Sequence, residues 1–195
     1  RQREIYKLSV PMQMEVLKVS RFGSEDGRMD LAKLAEALKI QVVDFVFKQP
    51  RVSGAILRDS ETGAWQILVK SSDSPRLKRF TVAHEIGHFL SYENNSHSKT
   101  YIDAQKGVLK DTALMLLTDY PSTLLEPEEL EAELEANEIA AELLMPEIEV
   151  KKLSSEGKSI EEMADFFVVS ESSMTMRLLN LDDSITDKAV GVSLS

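Results

Sequence analysis

Apolar and polar positions follow two rhythms along this chain, and the switches between them mark its elements. A helical period runs through residues 9–21, SVPMQMEVLKVSR, with Ser9 as cap and Pro11 near the start. Residues 23–27, bounded by glycines, are expected as a loop. Asp30 can cap a second helix whose Leu31, Leu34, Ala35 and Leu38 share one apolar face. The period then shortens. Gln41–Phe47, Val52–Arg58 and Ala64–Lys70 are predicted strands, and the turn-like DSETG makes the last two a hairpin. A helix is predicted from about Arg76 to Leu90, capped from the serine-rich stretch before Pro75. Another runs from about Pro127 to Met145, where Pro146 stops it. Residues 91–126 carry only a weak helical signal at 111–119. Residues 159–180 give helix, short turn, helix, and 183–195 are expected to be a frayed tail.

Those elements predict an α+β fold, mostly helical, with a small three-stranded sheet packed on the helix that starts near Arg76. The expected organisation is a core over 1–150, a helix-turn-helix-like pair over 151–182, and the tail.

The chemistry concentrates at residues 84–88, His-Glu-Ile-Gly-His. Positions i and i+4 of a helix lie on one face a turn apart, so His84 and His88 can meet one ion. Zinc takes imidazole nitrogen at roughly 2.0–2.1 Å, and its catalytic sites use three protein ligands and leave a position open. Glu85, next to the first ligand, can reach that open position, accept a proton from water and pass it to the leaving amine. Two exposed histidines on an ordinary amphipathic helix would match the same five residues. Against that stand the capped helix around the motif and its separate apolar side of Val82, Ile86, Phe89 and Leu90. Gly87 costs about 1 kcal/mol of helix propensity relative to Ala, which makes sense where another backbone packs closely.

A third ligand is expected from ELEANEIAAELLMP, residues 133–146. The helical period places Glu128, Glu131, Glu135, Glu138 and Glu142 in one stripe, expected to be solvated. It places Leu130, Glu133, Asn137, Ala140, Ala141 and Leu144 on the opposite, inward face. A lone buried carboxylate is costly unless paired or bound to a cation, so Glu133 is the expected ligand and Glu135 the alternative. Asn137, one turn on, can accept a hydrogen bond from the other ring nitrogen of His84.

Composition narrows the chemistry further. The 195 residues contain no cysteine, which removes disulfides and thiolate ligands and fits a cytoplasmic setting. No apolar run is long enough to span a bilayer, and no secretion leader is evident. The net charge of −10 repels nucleic-acid phosphates and suits a basic partner, although solubility alone explains much of it.

The two signatures together resemble the ImmA/IrrE family of metallopeptidases. SGAILRDSETGAWQILVKSSDSPRLKRFTVAHEIGHFL, residues 53–90, is similar to that family's hairpin leading into an RFTxAHExGH helix. ELEANEIAAELLMP resembles its ExxAN-x-x-AA-x-LLMP signature, and MDLAKLAEALKIQVVDF, residues 29–45, its opening helix and strand. Ile139 stands where Phe is frequent, and Lys70 where Asn is common. The resemblance implies a gluzincin-like fold and one zinc ion per chain, with other divalent metals as alternatives. It implies His84, His88 and Glu133 as ligands and Glu85 as base. It also implies a helix-turn-helix transcriptional repressor as the protein substrate, whose loss would relieve repression of stress or mobile-element genes.

Three further expectations concern the surroundings. Ala64–Lys70 is expected at the sheet edge, where an extended substrate could add as a strand. Tyr92, His97, Tyr101 and Tyr120 are candidate oxyanion donors. The C-terminal pair raises a second class of function, a DNA-binding or repressor-sequestering regulator. Its helices are acidic, however, with only Arg177 basic in the would-be reading helix, and Val168 sits where a tight turn favours Gly. Packing or substrate docking is the preferred role, and direct nucleic-acid binding is not expected.

Overall fold

Ser9 opens the first helix. Its hydroxyl accepts from the Met12 N–H at 3.4 Å, giving α1, Val10–Ser20, with Pro11 in the first turn. The computed structural model describes residues 7–93 except 49, 51 and 60, then 102–104 and 127–181. The expected loop at 23–27 closes as a small antiparallel ribbon, β1 (Ser24–Glu25) and β2 (Arg28–Met29). Asp26 and Gly27 at its tip both take positive φ, the conformation a tight hairpin needs. Asp30 Oδ1 then accepts from the Ala32 and Lys33 N–H groups and starts α2, Leu31–Ala37.

Three six-residue strands follow: β3 (Ile40–Phe45), β4 (Gly54–Asp59) and β5 (Trp65–Lys70). A fourth, β6 (Ile102–Ala104), lies in the stretch where the sequence showed no strand signal. The order is β3-β5-β4-β6. β5 pairs parallel with β3 and antiparallel with β4, and β6 runs parallel to β4. This corrects the edge-strand expectation: β5 is flanked on both sides, so Ala64–Lys70 cannot accept a substrate strand. Its composition explains why, since Trp65, Ile67, Leu68 and Val69 are all buried, as in a strand with neighbours on every side.

Helix α3, Pro75–Glu93, crosses the sheet, with the Ser74 hydroxyl accepting from the Leu77 N–H at 3.3 Å. Its most extensive partner is α4, Pro127–Leu144. Pro146 ends α4 as expected, but it also serves as the N-cap residue of α5, Glu147–Ser155, a short helix absent from the sequence reading. The C-terminal pair is α6 (Ile160–Phe167) and α7 (Glu171–Leu181). Ser159 and Glu162 form a reciprocal capping box at the start of α6. Ser170 accepts from the Ser173 N–H at 3.0 Å at the start of α7. The weak helical signal at 111–119 and the tail at 183–195 fall outside the described residues.

One buried cluster joins the helices to the strands β2 to β5. Ile56, Ile67 and Val69 come from the sheet, Val82, Ala83, Ile86 and Leu90 from α3, and Ile139, Ala140, Leu143 and Leu144 from α4. Met163, Ala164, Phe167, Met174 and Leu178 of the C-terminal pair belong to the same cluster. The turn of that pair is also held by two arginines of α3. Arg76 donates to the Val169 carbonyl at 2.6 Å, and Arg79 to those of Met29 at 2.5 Å and Phe167 at 3.3 Å. No helix among the described residues is long and apolar enough to cross a membrane.

Candidate metal centre

The α3–α4 seam is built from small residues. A Cβ placed on Gly87 would lie 2.8 Å from the Ala136 carbonyl oxygen and 2.9 Å from its Cα, so the two backbones touch there. This is the close approach that a glycine in mid-helix implied. Ala83, Ala132 and Ala140 are buried nearby without bulk. The helices run antiparallel, with His84 opposite Asn137 and His88 opposite Glu133.

His84 Nε2 and His88 Nε2 lie 3.0 Å apart, their rings nearly perpendicular at 87°. Glu133 reaches both, Oε2 to His84 Nε2 at 3.3 Å and Oε1 to His88 Nε2 at 3.2 Å. Nδ1 of His84 sits 2.9 Å from Asn137 Oδ1; since that oxygen only accepts, Nδ1 carries the proton and Nε2 is left facing the carboxylate. Phe80, one turn earlier, stacks on the His84 ring at 6.5 Å between centroids. The ligand atoms of His84, His88 and Glu133 lie within 4.8 Å of one another, and among the described residues this is the group that could hold a metal ion. Two neutral nitrogens and a carboxylate form a donor set that suits zinc and tolerates other divalent ions.

Electrostatics agree with that fit. Burial pushes the Glu133 carboxyl up, but the two imidazoles outweigh it and hold it well below the usual carboxylate range. Burial pulls the His84 imidazole down, yet its bond to Glu133 and the charge of Glu85 leave it raised overall. A divalent cation bound there would take the place of the hydrogen bonds between the Glu133 carboxylate and the two rings.

Glu85 is 7% exposed and interacts electrostatically with His84, His88 and Glu133. Burial raises its carboxyl pKa, against the lowering influence of His84, His88 and a backbone hydrogen bond from Ile56. β4 causes that burial. A Cβ on Gly54 would press on the Thr81 methyl and lie 3.1 Å from Glu85 Oε1.

The stripe assignment on α4 needs correction even though the ligand it selected is in place. The inward face is Ala132, Glu135, Ala136, Ile139, Ala140 and Leu143, whereas Leu130 and Asn137 are exposed and Glu133 is half-buried at the rim. Glu135 is the buried carboxylate, 3% exposed, and accepts from the Ser91 hydroxyl at 2.7 Å instead of facing the histidines. Glu138 and Glu142, also assigned to solvent, hold Arg177: Nη1 donates to Glu138 Oε1 at 2.7 Å, Nη2 to Glu142 Oε2, and Nε to the Met145 carbonyl at 3.0 Å. Arg177 is itself 2% exposed. With about 3.6 residues per turn each residue advances by about 100°, so an error of one residue in the face centre exchanges rim for core. Tyr92 accepts from Arg58 Nη1 at 3.1 Å and packs on Trp65. His97, Tyr101 and Tyr120 lie outside the described residues.

A helix presenting His-x-x-x-His, met by a carboxylate from the helix packed against it, is the arrangement of metallopeptidase-type proteins. The family model described as Peptidase_M78, the IrrE N-terminal-like domain, matches residues 35–179, and the chain belongs to that family. The match runs through the C-terminal pair as well as the HExxH and Glu133 helices. Among solved structures, a Mycobacterium tuberculosis transcriptional regulator has a similar fold, with a TM-score of 0.55 over 87% of this chain at 17% identity. The chain spans 47% of that protein, about half its length. No curated protein matches.

Proposed function

We propose that this chain is a zinc-dependent endopeptidase that cuts a protein substrate, with a helix-turn-helix repressor as the favoured substrate class. The observation that carries the reading is the convergence of His84, His88 and Glu133 with the buried Glu85 carboxyl beside them. When bound there, zinc supplies Lewis acidity and a water acidic enough to lose a proton near neutral pH. Every other task falls to the protein. Asn137 holds His84 in the tautomer whose Nε2 is free to ligate. Glu85, raised by burial, takes the proton of the attacking water on its carboxylate and returns it to the departing amine nitrogen. β4 and α3 keep bulk water from that carboxyl, because Gly54 brings the strand backbone against it.

The family resemblance supports a repressor as substrate, and the −10 net charge complements a basic DNA-binding partner. Such a partner would place the reaction in the cytoplasm. The DNA-reading alternative draws some support from the neighbour described as a transcriptional regulator. It is disfavoured by Arg177, the cation of the would-be reading helix, which points inward to two glutamates.

The test is incubation of the zinc-loaded chain with the repressor encoded beside it, with Glu85→Gln in parallel. Cleavage should fall by about a hundredfold to ten-thousandfold in the variant, with metal content unchanged. Cleavage by Glu85→Gln at the parent rate, or no metal uptake by the parent chain, would reject the reading.

A further inference from the structure

The small residues that let α3 and α4 meet leave a question about register. Alanines and a glycine present smooth surfaces, and packing of that kind resists sliding less than interlocked large side chains do. Yet the metal centre needs the two helices aligned closely, because Glu133 must reach both imidazoles from the opposite helix. A buried polar contact crosses the interior of this seam. The Ser91 hydroxyl donates to Glu135 Oε2 at 2.7 Å, with Ser91 fully buried and Glu135 3% exposed.

The positions of the two residues matter. Ser91 lies three residues, about one turn, after His88, and Glu135 two residues, about half a turn, after Glu133, so the contact sits close to the ligands on both helices. A buried carboxylate that loses its partner is costly, so this bond is directional where the alanine packing is not. Sliding α4 by one turn, or rotating it to bring Glu135 towards the histidines, would break the Ser91–Glu135 bond in the core.

We propose that Ser91 and Glu135 are positioning residues, a buried latch that fixes the register of α4 against α3 and so presents Glu133 to His84 and His88 before any metal arrives. The proposal rests on the metal-centre reading given above. Neither residue belongs to the group of His84, His88 and Glu133 that could hold a metal. Their effect is transmitted through Glu133.

The experiment is a competition titration of the whole chain with zinc against a chromophoric chelator, together with the visible absorption of the cobalt-substituted protein. Ser91→Ala should weaken zinc binding about tenfold to a hundredfold, the range for residues that orient a ligand, and should alter the cobalt spectrum. Glu135→Gln keeps an acceptor for the Ser91 hydroxyl and should stay within about threefold of the parent. A residue that only contributed stability would lower the melting temperature of the metal-free protein and leave the cobalt spectrum of the loaded sites unchanged. Should Ser91→Ala not fold, Ser91→Cys keeps the volume, donates weakly, and should give an intermediate loss. Parent-like affinity and spectrum in the Ala or Cys variant, or a loss in Glu135→Gln equal to that in Ser91→Ala, overturns the latch alone. A parent chain that binds no zinc overturns the metal centre itself.

Discussion

Helix α4 builds two polar clusters within three turns, and they differ in what completes them. On one side Glu138 and Glu142 enclose Arg177, whose remaining reach is taken by the Met145 carbonyl. The protein supplies both signs of charge there, and the cation is a side chain that cannot leave. On the other side Glu133 faces two imidazoles, and the cation that would complete the group is not encoded in the chain. The first arrangement is closed and holds α7 to α4. The second is open at its rim, where Glu133 is half-buried, which is what exchange of metal and water requires. A cluster of acids on one helix therefore says little about function until its counter-charge is located.

Substitutions can test the contrast, ordered by their effect on the stability of the metal-free protein. Arg177→Met removes the built-in cation and leaves two glutamates confronting each other. It should cost about 3–5 kcal/mol in urea unfolding. Burial already pushes the Glu142 carboxyl up, although Arg177 pulls it down. A raised carboxyl means that the folded state binds the proton more tightly than the unfolded chain. Its contribution to stability is then present at low pH and lost as pH rises through the raised value. The deficit in Arg177→Met should accordingly shrink between about pH 7 and about pH 5, and a deficit that stays constant over that interval would contradict a charge origin.

Gly87→Ala comes next. Its new methyl meets the Ala136 backbone, which cannot rotate away, and the cost should be about 1–3 kcal/mol despite the better helix propensity of Ala. Zinc binding should weaken with it, because the seam must open. Asn137→Ala should change stability least, by under about 0.5 kcal/mol, since the residue is exposed. Its zinc affinity should still fall about tenfold to a hundredfold. Equal effects of Asn137→Ala and Arg177→Met on stability would erase the distinction between the open and closed clusters.

Much of this was legible in the sequence because the strongest signals are local. HExxH on one helix fixes its own geometry, and Ser9, Asp30 and Ser170 cap the helices that follow them. Other features depend on the other end of the chain. The order β3-β5-β4-β6 is set by a crossover and by the short β6, which three residues cannot announce. Glu135, Glu138 and Glu142 are identical letters with different fates, decided by Ser91 at one position and Arg177 at two. Only the buried arginine on α7 sets Glu138 and Glu142 apart from the other acids of the helix. The repeated small residues at 132, 136 and 140 already mark the true inward face.

The turn between α6 and α7 carries one more implication. Val168 is held at φ 57°, ψ 48°, a left-handed conformation that a β-branched residue adopts at a cost of about 1–2 kcal/mol. It is 39% exposed, so little packing depends on its side chain. Val168→Gly should therefore raise the unfolding free energy by about 1 kcal/mol and leave zinc binding untouched, as a calorimetric melt paired with a titration would show. The natural chain thus keeps unused thermal headroom at a site remote from its chemistry.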